Sequence, residues 1–237
     1  MSKNDSKPLY RHELKYSITY KEREALLHRF GPMLKRDENG SEAGYTIRSL
    51  YFDDMWNTAY NEKMAGTFLR KKYRIRIYNY SDKVIKLECK EKQGNYIHKT
   101  AASLSREEVE SILKGDYGFL LKRKEILCKE FYLECTTKMM RPLVIVDYER
   151  DAFVEAVGDV RITFDKHVRS AWMNFNIFDE KLPTYEVLEP DRLLMEVKYT
   201  QALPEAVRRI VSPYNSVQVA ASKFTMCEDK KRELTGR

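Results

Sequence analysis

Two periodicities alternate along the chain. Residues 70–78 place Arg70, Lys72, Arg74 and Arg76 at every second position, with Tyr73, Ile75 and Ile77 between them. That two-residue period predicts a strand with one charged and one apolar face. Residues 84–90 set Lys86, Glu88 and Lys90 against Ile85, Leu87 and Cys89, and residues 160–165 set Arg161, Thr163 and Asp165 against Val160, Ile162 and Phe164. Residues 193–199 set Glu196 and Lys198 against Leu193, Met195, Val197 and Tyr199. Near the N-terminus, Arg11, Glu13 and Lys15 lie opposite Leu14 and Tyr16. Residues 143–150 are more mixed, with Arg150 following Val144, Val146 and Tyr148 on one face.

Helices are fewer. Thr19 precedes a stretch carrying Leu26, Leu27 and Phe30, which Gly31-Pro32 stops. Ser105 with Glu108 makes a capping box before Val109, Ile112 and Leu113, and Gly115 suits the C-terminal cap. Helical spacing over residues 119–139 predicts a third helix, with Pro142 just beyond it. Pro204 fits a first helical position for residues 206–211, and Ser216 is the expected cap of a last helix carrying Val217, Ala220, Ala221 and Phe224.

With 237 residues, 43% hydrophobic and 33% charged, the chain is expected to fold, as a single domain over residues 9–229. A disordered N-terminus over 1–8 and a polar tail over 230–237 are expected to flank it. The 43 basic residues against 36 acidic ones leave a net charge of +7, which favours an anionic partner: nucleic acid, phosphorylated metabolite or headgroup. Cys89, Cys128, Cys135 and Cys227 form no C-x-x-C pair, so neither a zinc site nor a disulfide framework is indicated. Together with an N-terminus lacking an apolar signal core, and the absence of any run near ~20 apolar residues, this predicts a cytoplasmic protein. No direct membrane insertion is expected, although a separate membrane-protein partner stays open.

For any single strand, a solvated sheet face is the simpler reading of its charged side. Five such faces, rich in arginine and sparing in carboxylates, change the balance. Helices packed on the apolar faces leave the charged faces to look at one another, and closure of the antiparallel sheet removes its edges. The expected fold is therefore α+β: a closed antiparallel eight-stranded barrel with helices outside and a basic tunnel within. Uncompensated charges in a dry interior cost several kcal/mol each, so the tunnel holds water and anions. Arginine forks and lysine point charges suit a chain of phosphates. Nucleic acid is not expected, because the aromatics alternate to the side opposite the arginines.

Glu-x-Lys recurs as Glu13-Leu14-Lys15, Glu88-Cys89-Lys90 and Glu196-Val197-Lys198. Each is a same-face pair, readable alone as an ion pair. Within a phosphate site such carboxylates suit Mn²⁺ or Mg²⁺, which commonly take one or two protein carboxylates plus phosphate oxygens and water. Glu196 is the first choice, then Glu88 and Glu13.

Glu13-Leu14-Lys15-Tyr16, Ser49-Leu50-Tyr51-Phe52-Asp53, Arg74-Ile75-Arg76, Glu88-Cys89-Lys90, Tyr148-Glu149-Arg150, Arg161-Ile162-Thr163-Phe164-Asp165, Glu196-Val197-Lys198 and Ser222-Lys223-Phe224 occur in order. This series resembles the VTC domain, the polyphosphate polymerase domain of the vacuolar transporter chaperone complex and its bacterial relatives, among the triphosphate tunnel metalloenzymes. The resemblance implies phosphate binding by Lys15, Arg74, Arg76, Lys90, Arg150, Arg161, Lys198 and Lys223, with Arg74, Arg76, Lys15 and Lys223 closest to the chemistry. It implies a metal role for Glu196 and a further tunnel lysine at Lys99. Arg48, just before the Tyr51-Phe52-Asp53 motif, is a substrate-binding candidate or, equally, a structural ion-pair partner. Arg11 stands where the superfamily's first strand often has its first Glu, which suits the polymerase branch. The implied activity is metal-dependent transfer of the ATP γ-phosphoryl group to inorganic polyphosphate. Hydrolysis of triphosphate or nucleotide in the same fold, and noncatalytic binding of polyphosphate or nucleotide, are its alternatives. None of the four histidines is a catalytic candidate.

Overall fold

At Thr19 the strand period gives way to the helical one. In the computed structural model the Thr19 hydroxyl accepts the Glu22 backbone N–H at 3.2 Å, while the Glu22 carboxylate accepts the Thr19 N–H at 2.7 Å. This reciprocal cap ends β1 (His12–Thr19) and opens α1 (Tyr20–Phe30). The structure describes residues 12–37, 44–94, 96–155, 160–220 and 222–236. After α1 come β2 (Lys35–Arg36), β3 (Tyr45–Asp53), α2 (Thr58–Ala65), β4 (Leu69–Tyr78), β5 (Ser81–Gln93), β6 (Tyr96–Leu104) and α3 (Arg106–Leu113). The chain continues with α4 (Ile126–Thr137), β7 (Arg141–Glu155), β8 (Val160–Ala171), β9 (Tyr185–Glu186), β10 (Arg192–Tyr199), α5 (Glu205–Val211) and α6 (Lys223–Thr235).

Hydrogen-bonded strands follow the order β1-β10-β8-β7-β3-β4-β5-β6, with β2 on β7 and β9 on β8. The ladders named below are antiparallel, and helices accompany them, as expected. The closed eight-stranded barrel is corrected: the sheet has ten strands, and among the described residues no ladder joins β1 to β6. Closure is only one remedy for exposed edges. At β1 the Val219 N–H donates to the Lys15 carbonyl at 2.9 Å, beside a Tyr16–Gln218 bridge. At β6 the residues Tyr96, Ile97, His98 and Lys99 are exposed, and Lys99 puts a charge on that edge.

Two compact units share the chain, one drawn from Met1–Gly44, Arg150–Lys166 and Pro190–Ala220, the other from Tyr45–Glu149, His167–Glu189 and Ala221–Arg237. In the first, antiparallel register aligns Tyr16 with Met195 and Met195 with Phe164, and Leu14 with Val197 and Val197 with Ile162. That apolar face packs with Leu26 and Phe30 of α1 and Val207 and Val211 of α5. In the second, Leu50, Ile75, Leu87 and Ala102 form one row across β3 to β6, and Phe52, Tyr73 and Cys89 form the next. Val109 and Ile112 of α3 and Leu127 and Phe131 of α4 belong to the same core. Phe131 meets Phe52 edge-on, with centroids 5.0 Å apart. Each such side chain, fully buried, stabilises by about 1.5–3 kcal/mol.

Some expected boundaries move. The helix over 119–139 divides into a 3₁₀ turn, Gly118–Lys122, and α4. Arg123 between them is extended, and its guanidinium donates to Glu108 at 2.8 Å, Glu125 at 2.8 Å and the Ser103 carbonyl at 2.7 Å. Pro142 falls inside β7, and Pro204 is the N-cap of α5 rather than its first residue. Ser222, not Ser216, precedes α6, because Ser212–Val217 forms a 3₁₀ turn; residues 230–235 continue α6. The Ser105 capping box forms as expected. All four cysteines are free and buried. Residues 1–8, Arg11 and Ala221 lie outside the described residues. No helix among the described residues is long and apolar enough to cross a membrane.

Candidate functional site

The second unit gathers cations because three strands in register carry them on one face. Arg74 stands opposite Tyr51 on β3 and Glu88 on β5, and Arg76 stands opposite Ser49 and Lys86. Lys72, Lys90 and Lys99 form a single row across β4, β5 and β6. Arg70 faces Lys92 one row further. In the rows that β4, β5 and β6 share, this face carries Arg70, Lys72, Arg74, Arg76, Lys86, Lys90, Lys92 and Lys99 with the carboxylate of Glu88, and Asp53 follows Ser49 and Tyr51 on the same side of β3. Like charges placed directly opposite one another destabilise a sheet, so the Lys72–Lys90–Lys99 row is a local cost.

Glu88 is held on both oxygens. Arg74 reaches Oε2 through Nε at 2.7 Å and Nη2 at 2.6 Å, Arg76 lies 3.9 Å from the same oxygen, and Lys99 contacts Oε1. Burial favours the neutral acid, but Arg74, Arg76 and Lys99 outweigh it and hold the Glu88 carboxyl down at about 2. Arg74 also donates to the Tyr51 hydroxyl at 2.7 Å. There too burial is outweighed by Arg74 and Arg76, and the phenol titrates below its ordinary range. Arg76 donates to Ser49 Oγ at 3.1 Å. The Arg74 and Arg76 side chains are only 16% and 11% exposed, so these two are sheltered, whereas Lys99 on the same face is 47% exposed. In the same unit Lys223, the first residue of α6, sits over the Tyr148 ring at 4.9 Å, and Lys72 over Phe224 at 4.5 Å.

The first unit holds a different cluster. Antiparallel register sets Glu13 opposite Lys198 and Lys15 opposite Glu196. Lys198 Nζ lies 3.0 Å from Glu196 and 3.4 Å from Glu13, and Lys15 Nζ lies 3.9 Å from each. Arg150 grips Asp165 with a two-point fork at 2.6 and 2.7 Å and approaches Glu196 at 3.7 Å. Arg161 pairs with Asp37 at 2.7 Å. Thr163 stands opposite Glu196 and is buried.

Arg48 falls outside both clusters. Its β4 partner is Ile77, so it lies on the helix-packed face with Leu50 and Phe52. It is buried, donates to Asp147 at 2.8 and 2.6 Å through Nε and Nη2, and donates through Nη1 to the Asp179 and Ile177 carbonyls. Of the two readings left open by the sequence, this is the structural ion pair, and the substrate-binding role for Arg48 is corrected. Sequence reasoning also missed the aromatics: Tyr51, Tyr148 and Phe224 sit among the second unit's cations. Pairing Tyr51 with Arg74 requires the β3–β4 register, which the strand period alone does not give.

Glu13 and Glu196, two hard oxygen donors on adjacent strands, fit a Mg²⁺ or Mn²⁺ ion completed by phosphate oxygens and water. Glu88 does not, because a guanidinium fork and an ammonium already occupy its two oxygens. Among the described residues no group of three or more His, Cys, Asp or Glu forms a ready-made metal cage.

An antiparallel sheet with accompanying helices is a fold also present in known structures. An adenylate cyclase candidate from Bacillus halodurans is similar with a TM-score of 0.53 at 12% identity, over 90% of this chain and 95% of that one. A candidate adenylate cyclase from Vibrio parahaemolyticus gives 0.51 at 10% identity, covering 93% and 98%. An adenylyl cyclase candidate from Hippeastrum, which has a dominant triphosphatase activity, gives 0.53 at 11% identity, covering 92% and 96%. These likenesses establish the fold alone. No curated protein matches in sequence. The VTC domain family model matches residues 10–229, and the chain belongs to that family.

Proposed function

We propose that this protein is a metal-dependent polyphosphate polymerase, which transfers the γ-phosphoryl group of ATP to the end of an inorganic polyphosphate chain. The observation that carries the reading is the Lys72–Lys90–Lys99 row beside Arg74 and Arg76, with Glu88 the one carboxylate in the paired rows of β4, β5 and β6 on that face among the described residues. A face so rich in cations attracts a polyanion. Arg76 presents a planar fork to nonbridging phosphate oxygens, Arg74 offers the N–H groups left over from its bonds to Glu88 and Tyr51, and Lys90, Lys99 and Lys223 supply compact charges. Glu88 holds the Arg74 fork in a fixed orientation. Lys15, Lys198, Arg150 and Arg161 are the first unit's phosphate ligands in this reading.

Glu196 and Glu13 would hold a divalent ion among the first unit's own phosphate ligands, where it would supply charge neutralisation. Phosphoryl transfer depends chiefly on alignment and on charge stabilisation. The accepting phosphate oxygen is already anionic near neutral pH, so no general base is required.

The triphosphatase activity of the Hippeastrum protein favours hydrolysis as the second reading, in which water accepts the phosphoryl group. Incubating the purified chain with ATP and Mn²⁺ separates the readings. ADP with polyphosphate supports the polymerase, orthophosphate the hydrolase, and binding without turnover a noncatalytic module.

A further inference from the structure

The β4–β5–β6 array ends in a group of exposed large apolar side chains. Phe68 is 63% exposed, Leu69 62%, Tyr96 55% and Ile97 41%, and Met64 at the end of α2 is 60% exposed. Register distributes them over both faces of the sheet end. Leu69, Gln93 and Tyr96 share one row on the helix-packed face, whereas Ile97 pairs with Lys92, which pairs with Arg70, on the cationic face. Phe68 is fixed at this tip by the β5–β6 turn. The Gly94 N–H donates to the Phe68 carbonyl at 2.8 Å, and a Cβ on Gly94 would lie 2.7 Å from the Phe68 ring. Gly94 has φ +57°, so both backbone and space call for glycine there.

The surroundings are cationic. Lys63, Arg70, Lys71 and Lys92 stand within this end of the array, against Glu62 and Glu91, and Glu91 is held by Lys71 at 2.9 Å. A flat protein partner covers one face of a sheet. Apolar groups projecting from both faces of a strand end, ringed by lysine and arginine, match a layered medium whose surface is negative and whose interior is apolar.

We propose that this tip, with Phe68, Leu69, Tyr96 and Ile97 leading, seats shallowly on an anionic lipid surface. The seat is peripheral, does not span the bilayer, and is independent of the reaction assigned above.

The test is co-sedimentation of the full chain with vesicles of phosphatidylcholine alone or with 30 mol% phosphatidylglycerol, the composition being the experimenter's setting at about one anionic lipid in three. The wild-type chain should sediment with the anionic vesicles, partitioning about tenfold more strongly than with the neutral ones. A Phe68→Ser/Leu69→Ser variant should lose most of that binding while retaining its far-ultraviolet circular dichroism. A Tyr96→Ser variant provides the same readout should the double variant fail to fold. Three results would overturn the proposal: no wild-type binding to anionic vesicles, undiminished binding by a folded tip variant, or a lipid-free dimer that the tip variants split.

Discussion

The tripeptide Glu-x-Lys appears in both units with opposite electrostatic outcomes. In the first, β1 and β10 run antiparallel so that Glu13 meets Lys198 and Lys15 meets Glu196, a quartet of two carboxylates and two ammoniums. In the second, Glu88 meets Arg74, but Lys90 lies between Lys72 and Lys99. The same local sequence gives a self-neutralised cluster in one place and surplus positive charge in the other. Partner strand and register decide this, not the tripeptide. A balanced quartet is suited to exchanging an ammonium for a metal ion, and a surplus of cations to receiving a polyanion.

Four perturbations probe this contrast. The largest effect is expected at Asp147→Asn, which strips the buried Arg48 of its carboxylate and should cost about 3–5 kcal/mol in urea unfolding. A loss of turnover without a loss of stability would return Arg48 to the site. Arg74→Ala should lower the polymerase turnover number about 10²–10³-fold, as removal of a transition-state donor does, with the circular dichroism unchanged. Near-normal turnover by the folded variant would remove Arg74 from the phosphate-binding group.

Glu88 comes next. Its folded-state carboxyl sits at about 2 against an ordinary 4.5, so its contribution is present above about pH 4.5 and is lost as the pH falls toward 2. The shift corresponds to about 3 kcal/mol. Glu88→Gln should flatten the stability profile in that window, whereas an unchanged slope would mean that the Arg74–Lys99 grip is absent in solution. The smallest effect is expected at Glu196→Gln, where the Mn²⁺ concentration for half-maximal activity should rise about a hundredfold, or 2.7 kcal/mol. If Glu13→Gln raises it while Glu196→Gln does not, the order of the two carboxylates is reversed.

Much of this was legible in the sequence, for a physical reason. On a half-buried strand the period of two fixes which side chains share a face, so Arg74 with Arg76 and Ile75 with Ile77 sort correctly before any pairing is known. Capping chemistry is equally local, which is why Thr19 and Ser105 open helices where expected. Non-local information is what the sequence lacked. Arg48 reads as a site residue by its nearness to the Tyr51-Phe52-Asp53 motif, yet its position opposite Ile77 puts it on the other face. Barrel closure followed from a general need to hide edges, a need met at β1 by the Val219–Lys15 hydrogen bond. The break at Arg123 follows in part from two partners distant in the chain, Glu108 and the Ser103 carbonyl.

The central claim is that the Lys72–Lys90–Lys99 row carries a repulsion that a phosphate chain relieves, and thermal unfolding of wild-type and Lys90→Met protein with and without tripolyphosphate tests it directly. Without the ligand, Lys90→Met should melt higher by about 1–8 °C, the equivalent of about 0.2–1 kcal/mol for each of the two like-charge pairs that Lys90 makes. With tripolyphosphate it should show little of the rise seen in the wild-type protein. A variant that melts lower without the ligand, or that keeps the full tripolyphosphate-induced rise, would contradict the account.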